Sequence, residues 1–133
     1  METQRTKKIL IVDNNDQVLL TLQRVLENEG FDTRTTSSGR EALGLLKSQE
    51  FDVLLLDDYL PDLHHSDFLS QVGKLPVQPW IVVMQASTPT TKDLRQYASL
   101  GAIYVVRKHH IAEVCRAVGS CCADESLAKT YIN

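Results

Sequence analysis

The sequence predicts an α/β fold, a parallel five-stranded sheet with helices on both faces. Four short runs are almost wholly aliphatic: ILIV at 9–12, VLLL at 53–56, IVVM at 81–84 and IYVV at 103–106. A fifth strand-like run at 31–36 is rich in Thr, and the segments between the runs repeat apolar residues at helical spacing. Aliphatic strands alternating with amphipathic helices imply a sheet buried on both faces, because right-handed crossovers lay helices on either side.

In chain order, residues 8–12 form the first strand, and the polar DNND follows at 13–16. Val18, Leu19, Leu22, Val25 and Leu26 make one helical stripe, which Gly30 stops. Residues 31–36 carry Arg34 among threonines, the composition of a less buried edge strand. Ser38-Gly39-Arg40-Glu41 matches a capping box and opens a helix to about residue 48. The third strand, 53–57, runs into the adjacent acids Asp57 and Asp58, and a short helix at about 66–72 follows Pro61 and His64-His65. The fourth strand is 80–85, and Thr88-Pro89 is expected to start a helix carrying Leu94, Tyr97 and Ala98 before a stop at Gly101. The fifth strand is 103–106, and Ile111, Val114, Cys115 and Val118 share one face of the last helix. The domain is expected to span 1–118, leaving 119–133 as a C-terminal tail or linker.

The length of 133 residues and a hydrophobic content of 43% suit one domain with one ordinary core. Fourteen basic against 17 acidic residues give a net charge of −3, with no long basic run to track a phosphate backbone or an anionic membrane. Direct nucleic-acid or membrane binding is therefore not expected. No apolar stretch approaches the roughly 18 residues of a membrane span, and no signal-peptide core follows the polar start, so the expected setting is cytoplasmic. The three cysteines, Cys115, Cys121 and Cys122, lack the paired spacing of a zinc site or disulfide framework and are expected to be reduced. Cys115 reads as a packing residue, and Cys121 and Cys122 fall in the tail.

Loops leaving the carboxyl ends of parallel strands are where sites form. Those ends carry Asp13, Asn14, Asn15 and Asp16; Asp57 and Asp58; Gln85, Ala86 and Ser87; and Arg107, Lys108, His109 and His110. Acids from two strand ends and a lysine from a third suit a hard cation and a phosphoryl group, since carboxylates hold Mg2+ and an ammonium neutralises phosphoryl charge. Polar residues also gather there simply because loops are solvated.

From about residue 7 to 118 the sequence resembles the receiver domain of two-component response regulators. The resemblance lies in KKILIVDNND, FDVLLLDDYLPDL, GAIYVVRK and the order of all five strand-helix units. It implies a flavodoxin-like (βα)5 three-layer sandwich with strand order 2-1-3-4-5, which puts the polar second strand at an edge. It further implies that Asp57 accepts a phosphoryl group, as a carboxylate nucleophile, from a histidine kinase or phosphotransfer protein. Asp13, Asn14, Asp57 and the backbone carbonyl of Tyr59 would hold Mg2+, and Lys108, Gln85 and Ala86 would contact the phosphoryl group. By the same resemblance the domain is not an enzyme and has no separate catalytic residue. It would be a monomer or weak homodimer that signals to a downstream protein through the fourth helix, fifth strand and fifth helix, a face including Lys92, Gln96, Tyr104 and His110.

Several positions depart from the family's pattern. Asn14 replaces the second acid of a pair, so Mg2+ binding is expected to be weak. Gln85 stands where the family has the hydroxyl residue that reports phosphorylation, with Ser87 two residues on. His109 replaces the proline after the lysine, so that peptide bond is expected to be trans. The family's aromatic position is Val105, and strand alternation sends the neighbouring Tyr104 to the other face. The pairs His64-His65 and His109-His110 present imidazoles that bind Zn2+ or Ni2+ if loops bring them together, and are otherwise solvated or pH-sensitive loop residues.

These departures leave a second reading open, an atypical receiver used as a phosphorylation-independent interaction module. A flavin or nucleotide enzyme of the same fold class is disfavoured because DNND lacks a glycine-rich phosphate cradle. A phosphatase with an aspartate nucleophile is disfavoured because DNND does not match Asp-x-Asp-x-Thr.

Overall fold

The computed structural model describes residues 5–123. Ten elements alternate: β1 (Lys8–Val12), α1 (Asp16–Asn28), β2 (Asp32–Thr36), α2 (Gly39–Ser48), β3 (Val53–Asp57), α3 (His65–Val72), β4 (Trp80–Gln85), α4 (Thr91–Ser99), β5 (Ala102–Arg107) and α5 (Ile111–Ala123). All pairings are parallel in the order β2-β1-β3-β4-β5, the flavodoxin-like arrangement expected from the sequence.

Alternation along the aliphatic strands divides the interior in two. Leu10, Val12, Leu54, Leu56, Ile81 and Val83 face α2, α3 and Tyr97 of α4. Ile9, Ile11, Val53, Leu55, Val82 and Met84 face α1 and α5. Burying each such side chain contributes roughly 1.5–3 kcal/mol before chain entropy is counted. β2, at the edge, leaves Asp32 and Arg34 exposed and buries only Thr33 and Thr36 completely.

The helix ends follow sequence signals, with three differences. Asn15 caps α1 by accepting from the backbone N–H groups of Gln17 and Val18, and Gly30 and Gly101 end α1 and α4 at φ of +97° and +101°. At α2, Ser38 Oγ accepts from Glu41 N–H, but Ser38 N–H goes to Thr36 Oγ1, so Glu41 does not close the expected box. Asp62, from the β3–α3 loop, supplies the remaining cap by accepting from Gly39 N–H at 3.0 Å, Arg40 N–H at 3.1 Å and Ser38 Oγ at 2.9 Å. The fourth helix starts later than Thr88-Pro89: Thr90 is its N-cap, and Thr90 and Asp93 form a reciprocal capping box.

β5 carries an irregularity. Ile81 pairs with Ala102 but Val82 with Tyr104, so Ile103 is the extra residue. Beyond it Val105 packs on the α4 side and Val106 on the α5 side, which leaves Tyr104 across from Val105, as alternation predicts. The third helix-end difference is at α5, which continues past 118 to Ala123, because Val114, Ala117, Val118 and Cys121 extend one buried stripe. Cys121 acts there as a small apolar residue, 1% exposed, and burial, followed by the neighbouring Cys122, pushes its thiol pKa up to about 12. Residues 124–133 of the expected tail lie outside the described residues. Among the described residues no helix is long and apolar enough to cross a membrane.

Candidate functional site

β1 and β3 are neighbours in register, Val12 beside Leu56, so their carboxyl ends bring Asp13 and Asp57 together. The loop after β5 is anchored to β4 by Lys108 N–H donating to Gln85 O at 2.8 Å. That anchor delivers Lys108 Nζ to 3.0 Å from Asp13 Oδ2 and 3.0 Å from Asp57 Oδ2. Asp13 is 0% exposed and Asp57 2%. Two buried carboxylates thus share one ammonium.

The pocket has more acceptors than donors. Asp13 Oδ1 accepts from Asn15 N–H at 2.8 Å, while Asp13 Oδ2, buried beside the ammonium, accepts no aligned hydrogen bond. Asp57 Oδ2 accepts from Lys108 Nζ, and its Oδ1 has only a long contact from Tyr59 N–H at 3.4 Å. Burial pushes the Asp13 pKa up, the Asn15 N–H opposes this, and the charge of Asp57 adds to the rise. Burial alone would lower the Lys108 pKa, but the adjacent Asp13 and Asp57 carboxylates hold it above the usual lysine value.

Asp58 also belongs to this pocket. Its N–H donates to Met84 O at 2.9 Å, and its carboxyl pKa is raised to about 6 by burial, by the charge of Asp57 and by contact with the Asp57 carboxyl. Strand alternation does not keep it away, because β3 ends at Asp57. The Asp58 carbonyl accepts from His65 Nδ1 at 3.2 Å, which fixes the proton on that nitrogen. The His65 ring lies 4.2 Å from that of His64, tilted by 32°, and 5.1 Å from Tyr97, and burial holds its pKa below the usual range.

The remaining expected site residues are placed less closely. Asn14, Tyr59 and Ala86 are exposed in the loops after their strands, Tyr59 at 64%. Gln85 is buried, and its Nε2 is bonded to Asp93 Oδ2 at 3.0 Å and Ser87 Oγ at 3.1 Å. His109 and His110 are exposed, and among the described residues no three His, Cys, Asp or Glu side chains are grouped to hold a metal, so the histidine-pair site is not formed. No cis peptide bond occurs among the described residues, so Lys108–His109 is trans as expected. Sequence reasoning did not single out Asp62 or Asp93. Asp93 was signalled by the spacing Thr90-x-x-Asp93; Asp62, whose capping partners lie more than twenty residues away, had no local signal.

A family model, the response regulator receiver domain, matches residues 9–118. The chain belongs to that family. The receiver domain is 25% identical over 107 residues to the cell cycle transcriptional regulator CtrA of Caulobacter vibrioides, covering 80% of this chain and 46% of that protein. It is 30% identical over 100 residues to the response regulator SaeR of Staphylococcus aureus, covering 75% and 43%. The chain therefore spans less than half the length of these relatives. Among solved structures, the response regulator TrrA of Thermotoga maritima, in complex with Mg2+ and BeF, aligns with a TM-score of 0.75 and 26% identity over 87% of this chain and 99% of that one. Receiver domains are signalling modules of two-component systems, and the fold and strand order here are theirs.

Proposed function

We propose that this receiver accepts a phosphoryl group on Asp57 from a histidine kinase or phosphotransfer protein. The observation that carries the reading is the Lys108 ammonium at 3.0 Å from both Asp13 and Asp57, a charge arrangement that also separates Asp57 from its neighbour Asp58. The Asp57 carboxylate attacks phosphorus, the donor's bond to phosphorus breaks, and Lys108 neutralises charge on the transferred group. Positioning and charge neutralisation are most of what phosphoryl transfer asks of a protein.

Mg2+ fits the residues present. The donors are hard oxygens, and Asp13 Oδ2 is buried without an aligned hydrogen bond. Asp13, Asn14, Asp57 and the Tyr59 carbonyl would hold the ion, with Asn14 contributing an uncharged oxygen and so weak affinity. Bound Mg2+ would neutralise phosphoryl oxygens. Lys108 and the backbone at Ala86 would contact the group from the protein side.

The domain acts by protein contact and not by catalysis, in the cytoplasm, as a monomer or weak homodimer without nucleic acid or membrane as direct partner. Its downstream contact is the face of α4, β5 and α5, where Leu94 and Tyr104 are exposed at 47% and 37%. Incubation with acetyl phosphate and Mg2+, followed by intact mass and Trp80 fluorescence, tests the acceptor. The expected result is one added phosphoryl group that is lost in Asp57→Asn; no mass gain and no Mg2+ response in the intact protein would overturn it.

A further inference from the structure

Gln85 connects two parts of the molecule. Its backbone carbonyl seats Lys108, whose ammonium touches Asp13 and Asp57. Its side-chain Nε2 donates to Asp93 Oδ2 at 3.0 Å and to Ser87 Oγ at 3.1 Å, with Ser87 O at 3.4 Å. An amide nitrogen has two hydrogens, so these contacts use its whole donor capacity. Asp93 Oδ2 also accepts from Thr90 N–H at 3.0 Å, and Asp93 N–H donates to Thr90 Oγ1 at 3.1 Å, so the carboxylate that caps α4 is the one Gln85 grips. Gln85 is only 6% exposed, and water does not readily replace a partner lost there.

We propose that Gln85 is a positioning residue that clamps the first turn of α4 to the end of β4, and that this clamp, not the state of Asp57, sets where α4 lies. A phosphoryl oxygen on Asp57 that took the hydrogen now on Ser87 Oγ would leave the Asp93 bond in place, and one that displaced Asp93 would take its hydrogen from a carboxylate already bonded to it. One anion would replace another, so the exchange has little driving force. Asp93 is itself held below the usual carboxylate range, first by Thr90 N–H and then by Gln85. The clamp exists whatever Asp57 does; its consequence for signalling rests on the acceptor role proposed above. That consequence is a contact face on α4 and β5 of constant shape, with modification of Asp57 read as added charge at the rim of the pocket.

Amide hydrogen exchange and 1H–15N shifts of residues 90–99 in the full chain test the clamp. Gln85→Met keeps the side-chain length, removes both donor hydrogens and leaves the Thr90–Asp93 box untouched. In protein without Mg2+ or phosphodonor, it is expected to speed exchange in the first turn of α4 by about fivefold, as loss of one hydrogen bond of roughly 1 kcal/mol predicts. Gln85→Glu, similar in shape but repelled by Asp93, is expected to do the same, and gives the answer if the Met variant misfolds by Trp80 fluorescence. Unchanged α4 exchange in a folded variant overturns the clamp.

Mg2+ with beryllofluoride is then expected to move the amides of Asp13, Asp58 and Lys108 in the unaltered protein and leave 91–99 in place, whereas in Gln85→Met the 91–99 amides move too. Movement of α4 as large as that of Lys108 in the unaltered protein overturns the dominance of the clamp. If beryllofluoride moves no amide, the acceptor role fails, and the exchange rates alone still decide the clamp.

Discussion

The acid pocket and the β4–α4 corner lie side by side at the ends of β3 and β4, yet they are bonded in opposite ways. In the pocket, Asp13, Asp57 and Asp58 crowd around the ammonium of Lys108, and Asp13 Oδ2 has no aligned hydrogen bond. At the corner, both hydrogens of the Gln85 amide are in use, and Asp93 Oδ2 receives two donors. The first arrangement holds surplus negative charge that a cation relieves. The second is saturated and has no reason to change when a ligand arrives. On the function and clamp proposed above, ligand chemistry belongs to the pocket and mechanical constancy to the corner.

The strongest way to break this contrast is to remove the cation. Lys108→Met leaves two buried carboxylates facing each other without it, and is expected to cost about 3 kcal/mol in urea unfolding, as for other broken buried ion pairs. Mg2+ should restore part of that loss, since it supplies positive charge to the same oxygens.

Removing an acid acts in the other direction. The Asp58 carboxyl titrates at about 6 in the folded protein and near 3.8 in an unperturbed chain. The folded state therefore holds its proton longer, and stability falls as pH rises from about 4 to 6 and stays lowered above that. Asp58→Asn removes this penalty and is expected to stabilise the protein by roughly 2 kcal/mol at pH 7, reduced from the full linkage value because the group is partly solvated. Equal stability gains at pH 4 and pH 7 would show that the cost of ionising Asp58, set by burial and by the charge of Asp57, is not the cause.

Adding an acid sharpens the contrast further. Asn14→Asp is expected to tighten Mg2+ binding by about tenfold, roughly 1.4 kcal/mol, followed by Trp80 fluorescence or calorimetry. An unchanged titration would contradict the ligand position assigned to residue 14. The smallest effect is expected at the corner, where Thr90→Ala removes one half of a capping box and should cost about 1 kcal/mol without altering Mg2+ affinity.

The parts of the molecule legible in the sequence are those governed by short-range periodicity. ILIV, VLLL and IVVM specify doubly buried strands, the Thr-rich β2 falls at the edge, and Gly30 and Gly101 end helices at positive φ. Asp13, Asp57 and Lys108 were legible as a group because parallel topology alone carries strand ends to one edge. What was not legible depends on where a side chain turns after its strand has ended. Asp58 joins the pocket because the alternation that would have turned it away stops at Asp57, and the Gln85 amide grips Asp93, eight residues on, through a loop whose path no local pattern gives. The extra turns of α5 were missed because Ala117 and Cys121 carry too little apolar surface to mark a stripe by themselves.

Asp62 bears on the order in which the chain assembles. Its carboxylate accepts from the backbone of Gly39 and Arg40 and from the hydroxyl of Ser38, and those N–H groups hold its pKa below the usual range. The helix α2 thus borrows part of its cap from a residue that follows the next strand. A nascent chain that has emerged only as far as residue 50 holds every residue of α2 and its Ser38 cap, but not the carboxylate that takes the Gly39 and Arg40 N–H groups. The first turn of α2 is therefore fully capped only once the loop after β3 is in place.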